Sequence, residues 1–123
     1  MTDDEFDALI TRAMNELPQD YITGLKNVAI VMADEPTAEQ LHKASVDNRH
    51  LLLGLYEGIP LTERGANYNL VLPDKITLFK NSIIASVGNK NDSFECIKRT
   101  LWHEIAHYYG LNHDRINQLQ RTD

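Results

Sequence analysis

His103-Glu104-Ile105-Ala106-His107 sets two imidazoles four residues apart with a carboxylate beside the first. On an α-helix, residues four apart lie about 40° apart in projection, one above the other, so both rings can reach one metal ion. Gly110 stands where a left-handed helix stop lets the chain reverse, and His113 follows three residues later. The string is H-E-x-x-H-x-x-G-x-x-H. Three imidazoles leave the fourth tetrahedral position of a zinc ion open for water, as in catalytic sites. Zinc would lower the pKa of that water to ~7; Glu104, the general base, would take its proton. The resulting hydroxide attacks a polarised carbonyl, and Glu104 returns the proton to the leaving amine. A bare H-E-x-x-H arises by composition in roughly one chain of this size in several hundred, and the added Gly and His lower that by about two to three orders of magnitude. The spacing therefore predicts zinc bound by His103, His107 and His113. Asp114 is the alternative third ligand, or a group that orients a ligating imidazole.

These residues need a helix to carry them. Asp92 with Glu95 three residues on reads as a capping box, and Phe94, Ile97, Leu101, Ile105 and Tyr108 form an apolar stripe that runs to Gly110. With His103 as origin the stripe projects at about 120° to 200°, so core and ligands occupy different sides of one helix. Glu104 falls between them, within reach of a water on the ligand side. Cys96 projects to the ligand side but lies ~10 Å up the axis, too far to ligate, which leaves packing or a cleft wall. Tyr108 and Tyr109 project away from the metal and are assigned to the core. His42 and His50 lack ligand-like spacing and read as surface residues.

Upstream, Phe6, Leu9, Ile10, Ala13 and Leu17 recur at helical spacing behind an acidic first turn and stop at Pro18. Val28 to Met32 reads as a short buried strand. Thr37 with Gln40 is a capping box for a helix from Ala38 towards Val46. Leu51 to Tyr56 reads as a strand in which Gly54 marks a bulge or a close backbone approach. Glu57 to Asp74, rich in Gly, Pro and Asn, is a candidate cleft wall. Ile76 to Phe79, flanked by Lys75 and Lys80, reads as an edge strand. Ser82 to Val87 fits helix or strand, Gly88-Asn89 marks a turn, and Asp114 to Gln120 can form two further helical turns.

The 123 residues fit one domain, taken as 1–123. A net charge of -6 and a pI near 5.3 give an acidic surface that repels phosphate backbones, so nucleic acid is not an expected partner. The start Met1-Thr2-Asp3-Asp4-Glu5 is acidic where a secretory leader would be basic, and no apolar run approaches the ~20 residues of a membrane span. A cytoplasmic location without membrane association is expected. The single cysteine, Cys96, excludes an internal disulfide and a cysteine-based zinc cluster.

Together with Leu53-Gly54-Leu55-Tyr56-Glu57-Gly58 and Pro73-Asp74-Lys75-Ile76-Thr77-Leu78-Phe79, the histidine string resembles a family of small bacterial minimal zincins, the zincin-like metallopeptidases, over most of the chain. The resemblance implies an α+β fold: a short mixed sheet packed on helices, the H-E-x-x-H helix near the C-terminus, and a shallow zinc cleft. It carries over His103, Glu104 and His107 directly. Members often have aspartate where this chain has His113, so the third ligand varies among them. The longer motif is shared with metzincin proteases, which also need a methionine turn; only ten residues follow His113 and none is Met. The expected function is that of a zinc metallopeptidase acting on an extended peptide or protein substrate, paired to a sheet edge for which Ile76 to Phe79 is the candidate. One alternative is a zinc-dependent endoribonuclease, against which Glu104 and the acidic charge count. Another is a non-catalytic zinc-stabilised binding module, in which Glu104 would be dispensable. No sequence feature addresses the oligomeric state.

Overall fold

The structure is a computed structural model that describes residues 1–44, 51–64, 73–89 and 91–111. Helix α1 (Asp3–Glu16) begins at Thr2, whose hydroxyl accepts from the Glu5 amide while the Glu5 carboxylate accepts from the Thr2 amide. This capping box satisfies two end donors, and the acidic first turn suits the positive end of the helix dipole. Phe6, Ile10 and Ala13 face the core, as their spacing predicts. Beyond Pro18 the chain makes a further short helix, α2 (Gln19–Thr23), whose five residues are too few to show a period of their own. Strand β1 (Val28–Ala33) follows. Helix α3 (Ala38–Lys43) opens on the expected Thr37–Gln40 capping box but stops short of Val46, and residues 45–50 lie outside the described set.

Strand β2 (Gly54–Glu57) begins three residues later than expected. A 3-10 turn (Leu61–Glu63) occupies part of the candidate cleft wall, of which residues 65–72 lie outside the described set. Strand β3 (Asp74–Phe79) runs directly into helix α4 (Lys80–Val87), which settles the ambiguous Ser82 to Val87 segment as helix and ends on left-handed Gly88. Helix α5 (Ser93–Tyr109) is the helix the apolar stripe predicted, but its start differs from the sequence reading. Asp92 is already in helical backbone geometry and its side chain caps nothing. Asn89 closes that turn instead: its Oδ1 accepts from the Asp92 amide at 3.0 Å, and its amide nitrogen donates to the Asp92 carboxylate at 3.0 Å.

Among the described residues the sheet is mixed, in the order β1-β3-β2, with β1 parallel and β2 antiparallel to β3. This corrects the expectation for Ile76 to Phe79, which is the central strand and has no open edge. Its side chains from Ile76 to Phe79 are buried on both faces, the signature of a strand covered on two sides. The flanking lysines mark the strand's ends: Lys75 reaches Glu57 at 3.8 Å, and Lys80 pairs with Asp3 at 2.9 Å. Conversely β1, expected to be buried, is an edge strand, with Val31 39% exposed.

Phe6, Ile10 and Leu17 from the N-terminal segment, Ile76 and Leu78 from β3, and Ile97, Leu101 and Ile105 from α5 belong to one core cluster. Helix α5 thus lies across the sheet with one side locked into the core and the other turned to a cleft beside β2. The architecture is the α+β arrangement expected, with the H-E-x-x-H helix C-terminal to the sheet. No helix among the described residues is long and apolar enough to cross a membrane.

Candidate metal centre

On α5, Ile97, Leu101, Ile105 and Tyr108 are fully buried, whereas His103 and His107 are half-exposed on the cleft side. The two imidazoles meet at a ring separation of 4.6 Å. Glu104 is buried, and its Oε1 accepts a hydrogen bond from the Tyr56 backbone amide at 3.0 Å. The same oxygen lies 3.2 Å from His107 Nδ1. One ligand atom from each of His103, Glu104 and His107 falls within 4.8 Å of the others, a donor set that a single divalent ion can bridge after small side-chain rotations. The hydrogen bond to Glu104 raises the His107 pKa above its ordinary 6.5, against the opposing pull of burial.

The sheet reaches Glu104 because of Gly54. A Cβ at that position would stand 2.7 Å from Thr100 Cγ2 and 3.2 Å from Leu78 Cδ2, so α5 can lie this close to β2 only over a glycine. Of the two sequence readings of Gly54, close approach is the correct one. The Leu53 carbonyl accepts from the Phe79 amide at 2.9 Å, so Leu55 and Glu57 also point their backbone groups at β3, while Gly54 and Tyr56 point away from it. That parity aims the Tyr56 amide at the helix. At the far end of the site Gly110 is left-handed, as predicted, and closes the helix with a bond from the Leu111 amide to the Ala106 carbonyl at 3.0 Å. A side chain there would also strike Thr62 on the 3-10 turn.

Two depressions extend the site along β2. One, beyond His107, is lined by Tyr56, Gly58, Pro60, Thr62 and Leu111. The other, beyond His103, is lined by Leu52, Leu53, Gly54, Arg99 and Thr100.

A polar cluster that sequence reasoning missed braces this wall. Asp74, 3% exposed at the start of the central strand, accepts from the Tyr56 hydroxyl at 2.6 Å and from the Arg64 guanidinium. Arg64 Nε also donates to the Ile59 carbonyl at 2.7 Å, which ties the segment after β2 back to the strand. Burial first, and then the Asp74 hydrogen bond, push the Tyr56 phenol far above its ordinary range, so it stays protonated and donating. Tyr56 and Asp74 both lie in stretches that carried the family resemblance; nothing marked Arg64.

The remaining candidate residues fall away from the histidine pair or outside the described set. Tyr108 is buried and its hydroxyl accepts from the Lys26 amide at 3.1 Å; Tyr109, half-buried, donates to the Tyr21 carbonyl at 2.6 Å. Both serve packing, as expected. Cys96 packs against the core with Sγ 3.7 Å from Ser86 Oγ, away from the histidines. His42 is exposed on α3. His113, Asp114, the helix expected over 114–120 and His50 lie outside the described residues.

No curated protein sequence matches the chain significantly. Among solved structures, a conserved hypothetical protein from Thermus thermophilus is similar over 99% of this chain and 100% of its own, at 23% identity and a TM-score of 0.58, a likeness of fold. The zincin-like metallopeptidase family profile matches residues 25–122, which include both β2 and the whole H-E-x-x-H helix. With that match and a histidine pair arranged around a buried glutamate, the chain belongs to the zincin-like metallopeptidase family.

Proposed function

We propose that this protein is a zinc metallopeptidase in which His103, His107 and His113 hold the metal and Glu104 is the general base. The observation that carries the reading is the placement of Glu104: a buried carboxylate held by the Tyr56 amide at 3.0 Å, with its oxygen 3.2 Å from His107. A buried carboxylate held at the edge of the histidine pair, with one oxygen against an imidazole, is placed to exchange a proton with a group bound there. Zinc, when bound, supplies Lewis acidity and an acidified water.

The chain's own residues do the rest. Each imidazole would hold the metal through an unprotonated nitrogen, so metal binding would compete with the doubly protonated form of His107 that Glu104 favours. Glu104 accepts a proton from the attacking water and hands it to the departing amine. Tyr56 holds the carboxylate in one orientation through its backbone, so no rotamer search precedes that transfer.

The substrate is an extended peptide lying along β2. This replaces the edge first expected at Ile76 to Phe79, because β3 is paired on both sides and β2 borders the cleft. Glu104→Gln is expected to retain about one zinc per chain and to lower peptide hydrolysis by roughly 10²- to 10⁴-fold, the usual worth of a positioned base. Undiminished hydrolysis in that variant removes Glu104 from the chemistry, and zinc binding undiminished in His113→Ala removes His113 from the ligand set.

A further inference from the structure

Resting on the peptidase reading, we propose that Arg99 binds a substrate carboxylate about three residues beyond the scissile bond, making the protein selective for peptides that end, or carry an acidic side chain, at that point. Arg99, His103 and His107 are spaced by four along α5, so they share one helix face, and Arg99 stands about 6 Å up the axis from His103. It is exposed and lines the depression beyond His103 together with Leu52, Leu53 and Gly54. Among the described residues its guanidinium has no hydrogen bond or ion pair. A guanidinium without a partner among the described residues, at the end of the cleft, is suited to bind an anion arriving from outside.

The direction of β2 determines which part of a peptide arrives there. The strand runs from Gly54, beside Arg99 and His103, to Glu57, after which Gly58 lies beside His107. A peptide pairing antiparallel to the edge of β2 that faces away from β3 therefore has its C-terminal half at the Arg99 end. A parallel peptide would bring its N-terminal half, and any free ammonium, to the same cation. The scissile bond would lie over a metal held between His103 and His107, about 9 Å along the axis from Arg99, which at about 3.3 Å per extended residue corresponds to about three residues. The guanidinium fork accommodates a carboxylate bidentately, and leucines beside it accept an apolar neighbouring side chain.

The test uses N-acetylated Leu/Ala hexapeptides in three forms: free C-terminal acid, C-terminal amide, and amide with Glu as the last residue. Hydrolysis by zinc-loaded wild type and Arg99→Ala is followed by mass spectrometry. Binding is followed by the Arg99 Nε–Hε NMR signal in zinc-loaded Glu104→Gln protein. A KM for the free acid roughly fivefold below that of the amide, lost in Arg99→Ala with zinc content and kcat retained, supports a terminal-carboxylate site. The same advantage for the Glu amide supports the site with a side chain as its source. Equal KM values across the three forms, or an acid preference that survives Arg99→Ala, overturns the proposal while leaving peptidase activity intact. Acid-selective movement of the Arg99 signal without cleavage of any peptide overturns the peptidase reading and leaves the carboxylate site standing.

Discussion

Gly54→Ala probes the contact on which the site's geometry depends. The added methyl would stand 2.7 Å from Thr100 Cγ2, about 1 Å inside ordinary carbon–carbon contact, with Leu78 Cδ2 and the Thr77 carbonyl both at 3.2 Å. Thr100 is buried against β2, so relief requires either a change of its χ1 rotamer inside that packing or a separation of α5 and β2. Overpacking of that kind costs about 1–3 kcal/mol. Thr100→Ser removes the opposing methyl and, alone, loses about 1 kcal/mol of buried apolar contact. If the two changes acted independently, the double variant would lose about 2–4 kcal/mol. Because the serine vacates the space the alanine needs, the double variant should instead be no less stable than Gly54→Ala alone, a favourable coupling of about 1–2 kcal/mol. Urea unfolding of the four chains measures this cycle, and zinc stoichiometry on the same samples shows whether the Glu104 arrangement follows the strand. A Gly54→Ala protein as stable as wild type, or strictly additive losses, would refute the close approach of α5 to β2.

The polar brace and the charge on β2 give two more predictions. Asp74→Ala removes the carboxylate that both the half-buried Arg64 guanidinium and the Tyr56 hydroxyl donate to and should cost about 2–3 kcal/mol, whereas Tyr56→Phe, which removes one neutral donor, should cost about 1 kcal/mol; equal losses in thermal or urea unfolding would contradict the ion pair's place in the brace. The Glu57 pKa lies below its ordinary 4.5: burial pushes it up, but hydrogen bonds from Gln40 and Lys43 and the charges of Lys75 and Lys43 outweigh burial. A depressed carboxylate contributes stability that is fully present above its unfolded pKa and lost as pH falls through the folded one. Glu57→Gln should therefore be less stable by up to about 1 kcal/mol at neutral pH, with the gap closing as pH falls below 4.5, and a gap independent of pH in parallel urea titrations would count against the assignment.

What the sequence disclosed follows how local each signal is. The histidine pair, the core stripe and the Gly110 stop all lie on one helix, where a 3.6-residue period converts spacing into geometry without reference to the rest of the chain. Strand pairing is not local. Ile76 to Phe79 was legible as a strand, but its rank in the sheet depended on β1 and β2 arriving from elsewhere, and flanking lysines can end a central strand as readily as they blunt an edge. The absent Asp92 cap shows the same limit at short range: Asn89, three residues upstream, outcompetes Asp92 for the turn. Arg64 was invisible because its partner, Asp74, is ten residues away across a stretch of irregular composition.

The decisive non-local feature is the bond from Tyr56 to Glu104. A motif of histidines and a glutamate says that a carboxylate is near a metal; it does not say which way the carboxylate faces. Here a strand amide turns it, and that amide is free to do so only because Tyr56 sits on the outward parity of an edge strand, brought close by Gly54. The same bond limits how a substrate can pair. An edge offers a pairing peptide the outward amides and carbonyls of alternate residues, which on β2 are those of Gly54 and Tyr56. With the Tyr56 amide committed to Glu104, the Tyr56 carbonyl and the Gly54 groups remain for substrate. On the peptidase reading, pairing is thereby confined to the residues of a substrate that lie next to Glu104. Backbone hydrogen bonds over so short a span hold a peptide weakly, so discrimination must come from groups beyond them, in the two depressions that flank His103 and His107.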